Sequence, residues 1–89
     1  MSEKDMHEHA DFSRTLASSV RLRRKELGLR QEELADLAGV SVRLVHTVEA
    51  GKATLQLDKL LLVLDALGLT LALESRLAAR AVSRGVKQP

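Results

Sequence analysis

Apolar side chains return every three or four residues through Leu16, Val20, Arg24 and Leu27, with the arginine occupying one place in the stripe. That is the period of one helix face. It predicts a first helix from about Phe12 or Ser13 to Leu27, with Asp11 or Ser13 as its cap. Two shorter apolar faces follow. Leu34, Leu37 and Ala38 make one, Val45 and Val48 the other, and Gly39-Val40-Ser41 separates them. Gly28 and Gly51 bracket this stretch, each at a position where a helix closes and positive φ is wanted. Ser41 is placed to cap the second of the two short helices. Val40 and Val45, like Leu29 and Leu34, have the spacing of a hydrophobic staple across a helix start. A helix, a short glycine-containing turn and a second helix form the helix-turn-helix unit.

Beyond it, LQLDKLLLVLDALG reads as a fourth helix capped by Thr54 and stopped at Gly68. Leu57, Leu60, Leu61, Leu64 and Leu67 form the stripe expected to face the core. Leu62 and Val63 lie off that stripe, so the helix is apolar over more than one face, and a second copy of the chain is the expected cover. Leu69, Leu71 and Leu73 then alternate with Thr70, Ala72 and Glu74, the period-two pattern of a short strand. No second strand is legible to pair with it, so its expected partner is the same strand of a twofold-related copy. The fold class is therefore all-α: a bundle of four to five helices with one short C-terminal strand pairing across a dimer. The expected organisation is a flexible leader over 1–11, a helix-turn-helix domain over 12–74 with a dimerisation strand at 69–74, and a basic tail over 75–89. The tail has alanine-rich helical propensity through about Ser83, then Gly85 and Pro89, and is either a short extra helix or a disordered arm.

Composition narrows the chemistry. The 89 residues suit one domain with a modest core. Phe12 is the sole aromatic residue and leucine dominates, which favours helices over a sandwich of strands. There is no cysteine, hence no disulfide framework, thiolate metal site or thiol nucleophile. Neither a signal peptide nor an apolar run of spanning length is legible, and a cytoplasmic location is expected. His7 and His9 lie in a polar, acidic stretch without a third ligand, and are read as surface residues, not a metal site. Ser18, Ser19, Ser41, Ser75 and Ser83 have no convincing base, His46 falls on the exposed side of the second motif helix, and no phosphate loop or pair of catalytic carboxylates is present. No enzymatic activity and no cofactor are expected. The formal charge is only +2, but it is unevenly spread. Arg21, Arg23, Arg24, Lys25 and Arg30 cluster ahead of the helix-turn-helix, and Arg76, Arg80, Arg84 and Lys87 follow the last acid, Glu74. Basic clusters beside a groove-reading motif are what phosphate binding needs.

The stretch from Gly28 to Lys52 resembles the DNA-binding core of the phage-repressor (XRE/Cro-like) helix-turn-helix family. The matching residues are Gly28, Leu29, Gln31, Glu32, Glu33, Leu34, Ala35, Gly39, Val40, Ser41, Val45, Val48, Glu49, Gly51 and Lys52. The resemblance extends from about Leu16 to Glu74 and implies a lambda-repressor-like bundle that binds double-stranded DNA. The G-L-T-L segment after the fourth helix is similar to the HipB/Y4mF-like antitoxin branch. That implies a homodimer joined through its C-terminal strands, and a HipA-like kinase toxin as partner. The chain departs from the family at Arg30, where threonine or serine usually caps the helix beginning at Gln31. Arginine cannot accept the free N–H bonds there, and a cap of about 1 kcal/mol is given up.

By the family's register, Ser41, Val42, Arg43, His46 and Thr47 face DNA while Val45 and Val48 face the core. Arg43 has the fork that matches guanine O6 and N7, and Val42 suits a thymine methyl. Arg43 on a phosphate, carrying no sequence information, is the alternative. Gln31 by resemblance, with Arg30 and Lys52, is assigned to phosphates near a helix N-terminus. The dimer contacts are expected at Leu62, Val63, Leu69, Leu71 and Leu73. The resemblance also pairs Arg24 with Glu49; otherwise Arg24 must snorkel to solvent. The expected function is a dimeric, sequence-specific repressor, the antitoxin and autorepressor of a toxin pair. A free-standing repressor, or a module that holds a toxin and binds DNA weakly, are the alternatives.

Overall fold

Four helices, α1 (Glu3–Glu26), α2 (Gln31–Ala38), α3 (Val42–Glu49) and α4 (Leu57–Ala66), gather the apolar stripes around one core. The computed structural model describes residues 3–52 and 54–75, with side chains from residue 11 onward. The calls on His7, His9 and the basic tail therefore lie outside what is described. α3 packs against both α1 and α2, and α2 also carries α4. Leu16 and Val20 of α1, Leu34, Ala35 and Ala38 of α2, Val45 and Val48 of α3, and Leu60, Val63, Leu64 and Leu67 close the core. Six of the larger side chains, Val20, Leu34, Val45, Val48, Val63 and Leu67, are fully buried. Each contributes at most about 1.5–3 kcal/mol of apolar burial.

α1 begins at Glu3, earlier than the start expected at Phe12 or Ser13. The apolar stripe begins only at Leu16, but nothing upstream stops a helix. The stretch is free of glycine and proline, and its acids sit where the helix dipole favours them. At the other end Leu27 is 44% exposed, because the helix closes at Glu26 before the stripe brings it inward. Ser13 and Ala17 extend the buried face upstream instead.

The turn of the motif needs its glycine. Gly39 adopts φ +73 and its N–H bonds back to Asp36 O at 3.3 Å, while Val40 N reaches Ala35 O at 3.0 Å. The two N–H groups occupy carbonyls that the end of α2 leaves open. Ser41 then caps α3, its hydroxyl accepting from Leu44 N at 3.1 Å. Gly51 closes the motif beside α1, where an added Cβ would already touch Ala17 Cβ at 3.8 Å.

α4 is rotated from the expected face. Leu60, Val63, Leu64 and Leu67 are buried, whereas Leu57 and Leu61 are exposed. Val63 thus belongs to the core and is not available to a second copy, which corrects its assignment to the dimer surface. Both stripes have helical spacing. A ten-residue helix with leucines on every side does not reveal its inner face until it docks on α2. Thr54 is not the cap either: the N-cap is Gln56, without a side-chain bond, and the helix starts at Leu57.

None of the described residues forms a strand. Leu69 N folds back to Leu64 O at 2.8 Å, and the chain then runs along the bundle. Leu69 and Leu71 lean on the core of their own chain, Thr70 faces out, and Leu73 is 96% exposed. Alternation thus reaches Leu71, where the core ends. A ladder requires a second backbone alongside, which a single chain of helices does not provide.

Candidate nucleic-acid interface

α3 is anchored on one side and open on the other. Val45 and Val48 are buried to 1% exposure or less, and Glu49 is buried beside them. Ser41, Val42, Arg43 and His46 are exposed on the opposite side. Thr47 is half-buried at the border, with its hydroxyl donating to Arg43 O at 3.0 Å. The structure therefore brings four of the five expected base-reading residues onto one open face, with Thr47 turned partly into its own helix. Ser41 is already engaged as the cap, so its hydroxyl has a structural duty before any contact with a ligand.

The buried end of α3 is held by a cluster of charges. Arg24 donates from Nε to Glu49 Oε2 at 2.7 Å and from Nη2 to Glu49 Oε1 at 2.9 Å, a two-pronged fork. Its Nη1 also donates to Leu29 O at 2.9 Å, tying the loop before α2 to the same guanidinium. Gln31 Nε2 adds a third bond to Glu49 Oε1 at 3.1 Å. Burial pushes the Glu49 carboxyl up, but the bonds from Arg24 and Gln31 and the charges of Arg24 and Arg21 outweigh it. The carboxyl is held below the usual carboxylate range. Arg24 is correspondingly held above its ordinary value, chiefly by its hydrogen bond to Glu49, against the lowering effect of burial.

Gln31 is thus placed differently from its expected role. Its amide is half-buried against Glu49, so its first partner is inside the protein. What sequence reasoning missed here is the third donor. The signal was available: an arginine and a glutamate expected to meet in the core leave carboxylate lone pairs to be satisfied by a neighbour. Arg30 stands 76% exposed at the mouth of α2. Its missing cap is answered from within α2, where the Glu33 carboxylate accepts from Arg30 N at 2.8 Å and from Arg30 Nε at 3.2 Å. This is one half of a capping box. The backbone bond and then the side-chain bond of Arg30 hold Glu33 below its ordinary pKa. Lys52 lies exposed just past α3.

The three arginines of the basic cluster on α1 are tied back to the protein. Arg21 Nη2 donates to Glu49 O at 2.9 Å, Arg23 Nε to Leu67 O at 2.9 Å, and Arg24 is committed to Glu49. Arg21 and Arg23 thus serve the C-terminal ends of α3 and α4, where unsatisfied carbonyls and the helix dipole favour positive charge. Arg21, Lys25 and Arg30 remain exposed.

This geometry, a capped helix held by its inner face and offering Val42, Arg43 and His46 outward, accompanies a sequence match over most of the folded chain. A family model described as helix-turn-helix matches residues 20–73, well over half of the chain. The chain belongs to the XRE-type helix-turn-helix family. Among curated proteins it is similar to an uncharacterized HTH-type transcriptional regulator, y4mF, of Sinorhizobium fredii. The two are 51% identical over 53 residues, covering 60% of this chain and 70% of the relative. The matched span of the family runs from Val20 to Leu73, taking in Arg21, Arg23 and Arg24 of α1, the whole motif, α4 and the segment after it. Among the described residues no helix is long and apolar enough to cross a membrane, and no three histidines, cysteines or acids group as metal ligands.

Proposed function

We propose that this chain is a dimeric, sequence-specific transcriptional repressor that reads the major groove of DNA with α3, and that it serves as antitoxin and autorepressor in a pair with a HipA-like kinase toxin. Family membership and the regulator relative support a DNA-binding regulator. The observation that carries the reading is the exposed face of α3, opposed by a face locked through Val45, Val48 and Glu49. The major groove admits a helix, and a rigidly seated one delivers its side chains to base edges at a fixed register. Arg43 is the base reader, Val42 the contact for a thymine methyl, and His46 and Thr47 border them. Arg30 and Lys52 contact phosphates on either side. Gln31 orients Glu49 and has one amide N–H left for the backbone of the duplex.

Leu62 and Leu73 are exposed apolar residues on α4 and on the segment beyond it, and they support a contact with a second copy. The partner kinase rests on the likeness of the G-L-T-L segment to the antitoxin branch. The test is salt-dependent binding of the full chain to the DNA upstream of its own gene, read by fluorescence anisotropy, beside co-purification with the product of the adjoining gene. Arg43→Ala should cost about 1–3 kcal/mol and relax preference at one base position. Uniform weakening on all sequences, with only the salt slope reduced, would make Arg43 a phosphate contact. Co-purification without salt-dependent DNA binding would leave a toxin-holding module and refute the repressor.

A further inference from the structure

The corner where α4 ends and the C-terminal segment leaves is closed by the backbone bonds Gly68 N to Asp65 O and Leu69 N to Leu64 O, and braced from outside by one side chain of α1. Leu67 caps α4 and is buried, and its carbonyl lies among the acceptors that no further helical turn can satisfy. Arg23 Nε donates to it at 2.9 Å. The next residue, Gly68, turns the chain at φ +70, and a Cβ there would stand 3.7 Å from Arg23 Nη2. The guanidinium therefore covers the corner as well as bonding to it. Its remaining charged neighbour is Glu26, at 3.8 Å on the same helix.

α1 and α4 are not among the helix pairs that approach each other most closely; α1 packs chiefly on α3, and α4 on α2. The bond from Arg23 is thus a direct polar tie between them. One residue further along α1, Arg24 grips the Glu49 carboxylate, and two residues back Arg21 reaches the Glu49 carbonyl. A single turn of α1 consequently holds two things at once: the end of the recognition helix, and the point of departure of the segment carrying Leu69, Leu71 and Leu73.

We infer that Arg23 is a positioning residue that fixes the distance between the two recognition helices of the dimer, and so selects the spacing of operator half-sites. This rests on the reading of the chain as a DNA-binding dimer joined through the segment after Gly68. Two half-sites one turn apart lie about 34–36 Å from centre to centre. Adding a base pair moves one of them by about 3.4 Å and rotates it by roughly a tenth of a turn. A dimer tolerates that step only if the segment can swing relative to α3. Beside the backbone bonds of the corner and the packing of Leu69 and Leu71, Arg23 restrains the swing by joining the corner to the helix that also clamps α3.

The experiment selects bound duplexes from a randomised library with the full chain, with Arg23→Met and with Arg23→Lys, and reads half-site sequence and spacing by sequencing. Arg23→Met keeps most of the stem and removes the donor. The wild-type chain should recover paired half-sites at one spacing. Arg23→Met should recover the same half-site at a spread of spacings. Its affinity for the best-spaced pair should fall about tenfold, the order of one charge-assisted hydrogen bond, while a single half-site is bound nearly as before. Arg23→Lys, which keeps a donor, should narrow the spread again. A sharp spacing retained by Arg23→Met would overturn the inference. Equal loss on single and paired half-sites would do so too, since Arg23 would then support the whole domain. A wild-type chain that recovers only unpaired half-sites would sink the dimeric reading itself, and the inference with it.

Discussion

Cutting back Glu49 to alanine removes the acceptor on which three elements converge. Its carboxylate is 5% exposed and receives Nε and Nη2 of Arg24 and Nε2 of Gln31. Glu49→Ala leaves Arg24, whose side chain is 12% exposed in the native fold, with Leu29 O as its surviving acceptor, and the Gln31 amide loses its partner. A buried charge left in this way costs on the order of 3–5 kcal/mol. Set against a domain stability of about 5–15 kcal/mol, that is roughly a fifth of the total or more. Arg24→Ala strands the carboxylate instead, but Gln31 remains bonded to it, and Arg21, half-exposed at 4.0 Å, has room to close in. The two single variants therefore share a lost interaction but differ in what compensates. Urea unfolding of both, and of the double variant, followed by far-ultraviolet circular dichroism, gives the coupling directly. The expected coupling is about 1–3 kcal/mol, because groups in one buried network do not act independently. Additive losses, with coupling near zero, would refute the reasoning: the fork would then contribute no more than two separately solvated side chains.

Other outcomes follow from the same structure. Val63→Ala should destabilise the isolated domain by about 1.6 kcal/mol or more, two buried methylene equivalents plus the cavity, while Leu62→Ala should cost the monomer little; equal urea midpoints for the two would return Val63 to the surface. Acid should unfold the domain partly through Glu49. A carboxyl held low in the folded state contributes stability that is complete above its unfolded pKa of about 4.3 and is lost as pH falls through the lower folded value. Glu49→Gln, less stable near neutrality, should accordingly show a flatter pH dependence below about pH 4.3 than the wild type; parallel curves would remove Glu49 as the source. Gly39→Ala should cost about 1–2 kcal/mol through backbone strain alone, since φ is +73 and no atom within 4 Å opposes a Cβ. Midpoints unchanged by that substitution would mean the turn can relax to negative φ.

The helix-turn-helix was legible because its signals are local. Gly39 at positive φ, Ser41 as cap, and the apolar pairs around them depend on neighbours within a few residues, and each such choice agrees with the others. Val45 and Val48 could be assigned to the core from helical period, while the outward placement of Arg43 and His46 came with the family's register. The meeting of Arg24 and Glu49 came from the family resemblance, with the place of Arg24 in an apolar stripe as its physical motive.

What sequence did not decide were matters in which several local arrangements are equally good. α4 has leucine or valine at six of the eight positions from Leu57 to Leu64, so helical period permits either Leu61 or Val63 inside; only docking on α2 chose Val63. The arginines of α1 read as one basic cluster, since sequence gives charge without direction. Tertiary structure turned Arg21, Arg23 and Arg24 toward carbonyls and a carboxylate contributed by residues 25 to 44 positions away. Gln31 likewise found Glu49 across 18 positions. Periodicity and capping act over a turn or two and are written into the chain. The choice of partner for a long side chain depends on which backbone ends are brought within its reach, and that is settled only when the helices have packed.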